Sequence, residues 1–165
     1  MTQRLTFYCT GGTIDKVYYD NKRRFEVGEP QVQQILEEAG VVLDYSIQSI
    51  LNKDSLDMTD RDREYIVDTV EKDKNTAVII THGTDTMVKT AKRLSRIQNK
   101  TIVLTGAMQP ARFKSSDAVF NIGCAVLAVQ ILKPGVYIAM HGRIFDYDNV
   151  RKNDALNQFE ELNNK

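Results

Sequence analysis

The chain is poor in the residues that build metal centres and disulfide frameworks, with two cysteines, Cys9 and Cys124, and two histidines, His82 and His141. So small a set, none of it at ligand spacing, excludes a zinc site, and both thiols read as buried. Net charge is missing as well: 22 lysines and arginines face 22 aspartates and glutamates, and the pI is near 6.7. That balance offers no electrostatic footprint for nucleic acid or a membrane surface. No apolar stretch has the length of a membrane span, and Met1-Thr2-Gln3-Arg4 runs into a strand without the basic-then-apolar pattern of a leader. The glycines have neither dinucleotide-binding nor P-loop spacing, and no cofactor is expected. These exclusions leave a cytoplasmic protein of one domain, residues 1–165, with a single sizeable core.

What is present is an alternation of patterns. Strands are expected over Arg4 to Cys9, Tyr45 to Leu51, Ala77 to Ile80, Thr101 to Leu104 and Gly135 to Met140. Between them fall helices. Pro30 opens one through Val32, Ile35, Leu36 and Ala39, closed by Gly40; Thr59 caps another that buries Tyr65, Ile66, Val67 and Val70. A third runs from about Asp85 to Leu94 and an apolar fourth from Asp117 to Leu132, while Asp154 to Asn164 reads as a short terminal helix. Lys16 to Glu29 has no apolar period and reads as a solvated loop or a mobile lid, with Tyr18 and Tyr19 on it. Arg93, Arg96 and Lys100 read as a solvated helix face. Strands separated by helices of this length predict an α/β fold, a three-layer sandwich whose mostly parallel, flavodoxin-like sheet is flanked by helices.

Two segments carry the chemistry. Thr10-Gly11-Gly12-Thr13-Ile14-Asp15 follows the first strand, and Thr81-His82-Gly83-Thr84-Asp85-Thr86 follows the third. A strand ending in glycine and hydroxyl residues places polar groups at the carboxyl edge of a sheet, where open α/β sheets bind ligands. Threonine hydroxyls beside an aspartate are the material for attack on a carbonyl, and the glycines let backbone amides approach an anion. Each residue also has a plainer reading. Thr13 could close a turn, Asp85 could complement a helix dipole, and Lys152 could be a surface charge. His82 is expected to pack or satisfy its turn rather than act as a base.

Together with Asp54-Ser55-Leu56-Asp57-Met58, Leu104-Thr105-Gly106-Ala107-Met108-Gln109-Pro110, the following Ser116-Asp117 and Asn121, and Lys152 after the last strand, these motifs resemble the bacterial-type L-asparaginase family. The resemblance covers essentially the whole chain but only the amino-terminal half of a usual member, so the second, smaller family domain is absent. It implies an amidohydrolase that converts L-asparagine and water to L-aspartate and ammonia through an acyl-enzyme, with no metal or cofactor. Thr13 would be the nucleophile, and Thr84, Asp85 and Lys152 a cooperating set in which a lysine of lowered pKa passes a proton. Asp85 would pair with the substrate's α-ammonium and Ser55 with its α-carboxylate, in a substrate-binding group of Gly12, Asp54, Ser55, Gly83, Thr84 and Asp85. Backbone amides near Gly12, Gly83 and Thr84 would serve the oxyanion. Homo-oligomers, dimer or tetramer, are expected, because the surface that meets the second domain would otherwise be bare.

Three departures from the family pattern stand out. Phe25 sits where a tyrosine assists the first threonine, so that role is lost or moves to Tyr18 or Tyr19. Leu56 replaces a polar residue beside Ser55, and the second domain is missing. They keep two other readings open, a broader glutaminase or amidase and a non-catalytic domain that binds aspartate or asparagine as a regulator.

Overall fold

A computed structural model describes residues 4–162. Its elements, in chain order, are β1 (Leu5–Gly11), β2 (Lys16–Tyr19), β3 (Arg24–Val27), α1 (Val32–Glu38), β4 (Tyr45–Lys53), α2 (Asp60–Lys72), β5 (Ala77–Thr81), α3 (Met87–Leu94), β6 (Thr101–Thr105), α4 (Ala118–Ile131), β7 (Gly135–Met140), β8 (Arg143–Asp146), β9 (Arg151–Asn153) and β10 (Gln158–Glu160). Short 3-10 turns cover Thr13–Asp15 and Ser55–Asp57. The main sheet has the order β4-β1-β5-β6-β7-β8, with every pair parallel except β7–β8.

β1, β5 and β6 are buried at every residue, as continuous apolar runs require when both faces of a sheet are covered. Their alternate residues feed two cores. Val78, Ile80, Ile102 and Leu104 pack with Ile66, Val67 and Val70 of α2 and Met87, Ala91 and Leu94 of α3. Leu5, Phe7, Ile79 and Val103 pack with Val32, Ile35 and Leu36 of α1 and Ala118, Ile122, Ala125 and Val129 of α4 on the other face. This is the three-layer, flavodoxin-like α/β sandwich read from the sequence. Counting the parallel strands alone, the chain steps outward from β1 to β4, then returns to β5 on the opposite side, so β1 and β5 flank the topological switch point.

Several expectations are corrected. Lys16 to Glu29 is no irregular loop but an antiparallel β2–β3 hairpin with Tyr18 opposite Phe25. Residues on such a ribbon pair across strands, which an apolar period does not register. The tail is likewise a hairpin, β9–β10, not a helix: Phe159 lies opposite Lys152 and buries its ring 6.5 Å from Phe145. Asn163 and Asn164 of the expected helix lie outside the described residues. β8 is an unforeseen antiparallel edge strand, turned back by His141 and Gly142, both at positive φ.

On α2, Arg63 is buried with Ile66, Val67 and Val70 whereas Tyr65 is half exposed. Lys100 is buried too, donating to the carbonyls of Asp73 and Asn75, while Arg93 and Arg96 bridge α3 to Asp60, Glu64 and Asp68 across α2. Cys9 is buried as expected, but Cys124 is only half-buried.

Candidate active site

Both motifs leave the carboxyl ends of β1 and β5, so the switch point brings their glycines together. Gly12 has φ +87°, and a Cβ on it would lie 2.5 Å from the Gly83 Cα. Only glycine allows this approach, through both the left-handed backbone and the absent side chain. Gly83 in turn lies against Ser55, where an added Cβ would stand 2.7 Å from the serine Oγ. The chain of contacts Thr13–Gly12–Gly83–Ser55 therefore joins three loops at one sheet edge. The Gly12 amide is itself held by the Lys53 carbonyl at 2.9 Å, which ties the end of β4 to the same place.

Lys152, from β9, reaches this edge. Its Nζ donates to Asp85 Oδ1 at 2.5 Å with Asp154 3.7 Å away, and its side chain is 14% exposed. It is no solvated surface charge. Asp85 is not in the first helical turn, because α3 starts at Met87 after the Thr86 N-cap. Thr84, buried, precedes it, and Thr13 is half-buried in its 3-10 turn. Thr13 and the Asp85–Lys152 pair line different clefts. Thr13 lines an open cleft of about 550 Å³ with Lys16, Phe25 and Met108, whereas Asp85 and Lys152 line one of about 450 Å³ with Leu56 and Val88.

The remaining expected residues support the loops. Asp54 accepts from the Leu56 amide at 3.1 Å and pairs with Lys16 of the hairpin at 2.7 Å. Burial pushes its carboxyl up, but those bonds and the charges of Lys16 and Lys152 outweigh burial and hold it below the ordinary range. Ser55 is fully buried; its Oγ accepts from the Thr86 amide at 3.3 Å, and its carbonyl accepts from the Thr86 hydroxyl at 2.8 Å. His82 is enclosed. Its Nδ1 stands 2.7 Å from the Gly83 carbonyl, so that nitrogen carries the proton, and Nε2 accepts from the Thr90 hydroxyl at 2.7 Å. Burial drives its pKa down to about 4, which fits a neutral ring that satisfies the turn. Phe25, not Tyr18 or Tyr19, lines the Thr13 cleft, with the Tyr18 ring 5.2 Å from it.

Arg63 escaped the sequence reading, and Asp15 entered it only as the end of a motif, with no role of its own. Arg63 donates to the Met58 carbonyl at 3.0 Å and to the Thr86 hydroxyl at 2.9 Å, locking the Ser55 turn to the Thr84–Thr86 loop. The signal was available: Arg63 stands at the head of the buried 63, 66, 67, 70 stripe of α2. Asp15, immediately behind Thr13, is buried with one oxygen accepting from the Gln31 amide at 2.9 Å and the other unpartnered. Burial pushes its carboxyl up to about 7.

Comparison with known proteins gives the family and the fold relatives. A family model described as asparaginase, N-terminal, matches residues 4–164. An L-asparaginase of Thermococcus kodakarensis is 32% identical over 170 residues, covering 97% of this chain and 51% of that protein. A glutaminase-asparaginase of Acinetobacter glutaminasificans is 33% identical over 129 residues, 74% of this chain and 38% of the relative. Among solved structures, a probable cytoplasmic L-asparaginase from Campylobacter jejuni superposes with a TM-score of 0.84 at 30% identity, over 97% of this chain and 53% of that one. The chain thus spans about half the length of the Thermococcus and Campylobacter proteins.

Proposed function

Because the chain belongs to the asparaginase N-terminal family, we propose that it hydrolyses the side-chain amide of L-asparagine to L-aspartate and ammonia, in the cytoplasm and without a cofactor. The observation that carries this reading is the 2.5 Å Lys152–Asp85 pair at the loop that meets the Gly12–Thr13 turn. The pair brings a lysine and a carboxylate from distant parts of the chain to one sheet edge.

In this reading the Thr13 hydroxyl attacks the amide carbon and its proton leaves with ammonia. Backbone amides near Gly12, Gly83 and Thr84 receive the developing oxyanion. Water near Thr84, Asp85 and Lys152 then hydrolyses the acyl-enzyme. Asp85 Oδ1 accepts from Lys152 and its second oxygen is left for the α-ammonium, while the Ser55 turn holds the α-carboxylate. Asp54 serves this group indirectly, through its bonds to Leu56 and Lys16.

Ammonia release from the purified protein with L-asparagine, L-glutamine and D-asparagine tests the proposal. Release from L-asparagine, lost in Thr13→Ala and in Thr84→Val, is the expected result. Tight aspartate binding with no release would favour the regulatory reading, and faster release from glutamine the broader amidase. We also propose self-association, supported by the exposed apolar stripe Val119, Phe120, Leu127 and Ile131 along α4.

A further inference from the structure

The cleft beside Thr13 is too large and too apolar for the leaving group of asparagine. Ammonia occupies about the volume of a water molecule, roughly 30 Å³, whereas the cleft measures about 550 Å³. Its apolar walls are Phe25 from the hairpin and Met108, Pro110 and Phe113 from the segment between β6 and α4, with Gln109 and Ser115, bonded to each other, at the same rim. Phe25 and Phe113 stand edge to face with centroids 5.8 Å apart, yet are 45% and 43% exposed. Two aromatic rings held in a favourable pair but left open to water form a surface suited to a third apolar group. The one basic group at the wall, Lys16, is neutralised by Asp54, so the cleft offers no free charge to hold an anion.

The lining of the two clefts gives a direction. Asp85, assigned to the amino-acid half of the substrate, lines the cleft of Lys152 and Leu56, and Ser55 lies against Gly83, whereas Thr13, next to Gly12, lines the cleft of Phe25 and Phe113. With the amino-acid half at Asp85 and the amide carbon at Thr13, the amine half is the part left for the cleft of Phe25 and Phe113. We infer that this cleft takes the amine half of the substrate, and that the chain acts best on asparagine derivatives whose side-chain nitrogen carries an aromatic group. A β-aspartyl anilide is the simplest example. The inference rests on the amidohydrolase reading above. The reaction balances without a further reactant: the Thr13 oxygen bonds to the amide carbon, the carbon–nitrogen bond breaks, and aniline leaves with the hydroxyl proton. Water then cleaves the ester to release aspartate and restore the hydroxyl.

The test compares kcat/KM for L-asparagine and for L-aspartic acid β-anilide in the full chain and in Phe113→Ala and Phe113→Leu. Burial of the phenyl ring should raise kcat/KM for the anilide over asparagine roughly tenfold or more, mostly through KM. Phe113→Ala should lower that ratio severalfold, and Phe113→Leu, which keeps an apolar wall, should retain most of it. Anilide turnover no better than that of asparagine, with asparagine still hydrolysed, overturns the cleft assignment and leaves the amidohydrolase reading standing. No product from either substrate overturns both. An unchanged ratio in Phe113→Ala, accompanied by a fall in sedimenting mass, would identify a second copy of the chain as the occupant instead and overturn the inference.

Discussion

Asp15 lies directly behind Thr13, buried, with one carboxylate oxygen lacking a partner, and burial raises its pKa from 3.8 to about 7. The folded state therefore keeps a proton that the unfolded chain gives up near pH 4. The stability from this group is fully present below that pH and is lost as pH rises to about 7. His82 works oppositely: burial lowers its pKa from 6.5 to about 4, so its contribution is present above 6.5 and lost as pH falls toward 4. The two trends offset each other in the wild-type chain, and a substitution separates them. Asp15→Asn keeps an acceptor for the Gln31 amide and removes the charge. Its advantage in thermal stability over wild type should grow between pH 4 and 7 and stay level above, reaching about 2–4 kcal/mol. A difference independent of pH in calorimetry would show that Asp15 ionises freely in the fold. At Lys152, replacement by methionine retains the stem and removes the ammonium. Turnover should fall at least about 100-fold, with circular dichroism unchanged; residual activity above about a tenth would remove Lys152 from the mechanism.

Elements act here through the loops they hold in place. The β9–β10 hairpin carries Lys152, and its anchor is Phe159, opposite Lys152 in register and packed near Phe145. Phe159→Ala opens a cavity beside Phe145 in a largely aliphatic core and should cost about 3 kcal/mol or more, measured by denaturant unfolding. Because the hairpin positions the lysine, kcat should fall as well, although Phe159 touches no substrate group. Arg63 performs the same service from α2. Arg63→Met fits the buried stripe but removes the bonds to Met58 and Thr86. The Ser55 turn and the Asp85 loop then lose their common support, and KM should rise more than kcat falls. Unchanged KM with lowered stability would mean that Arg63 supports the fold alone.

The molecule as a whole leaves one helix incompletely covered. α4 buries Ala118, Ile122, Ala125 and Val129 against the sheet, while Val119, Phe120, Leu127 and Ile131 face outward, half or more exposed. A helix apolar on both sides is stable in water only when something covers the second side. Self-association should appear as a concentration-dependent mass in sedimentation, and Leu127→Glu with Ile131→Glu should shift the chain to monomer.

By itself the sequence determined the sandwich and the strand ends that carry the two glycine-hydroxyl motifs. Long buried strands and amphipathic helices announce themselves by local period, and glycine-hydroxyl segments at strand ends mark the carboxyl edge. The motifs likewise pointed to Thr13, Thr84, Asp85 and Lys152, through a family resemblance rather than through spacing. The tertiary structure alone decided what depends on pairing between distant residues. Both hairpins were hidden, because Lys16 to Val27 and Arg151 to Glu160 are short polar ribbons stabilised by cross-strand partners, not by an apolar period. Lys100 looked solvated and Arg63 drew no reading, because a buried charge is made tolerable only by carbonyls and hydroxyls brought from elsewhere in the chain. The contact of Gly12 with Gly83 arises in the same way: each glycine is visible in the sequence, but only the switch between β1 and β5 sets one against the other.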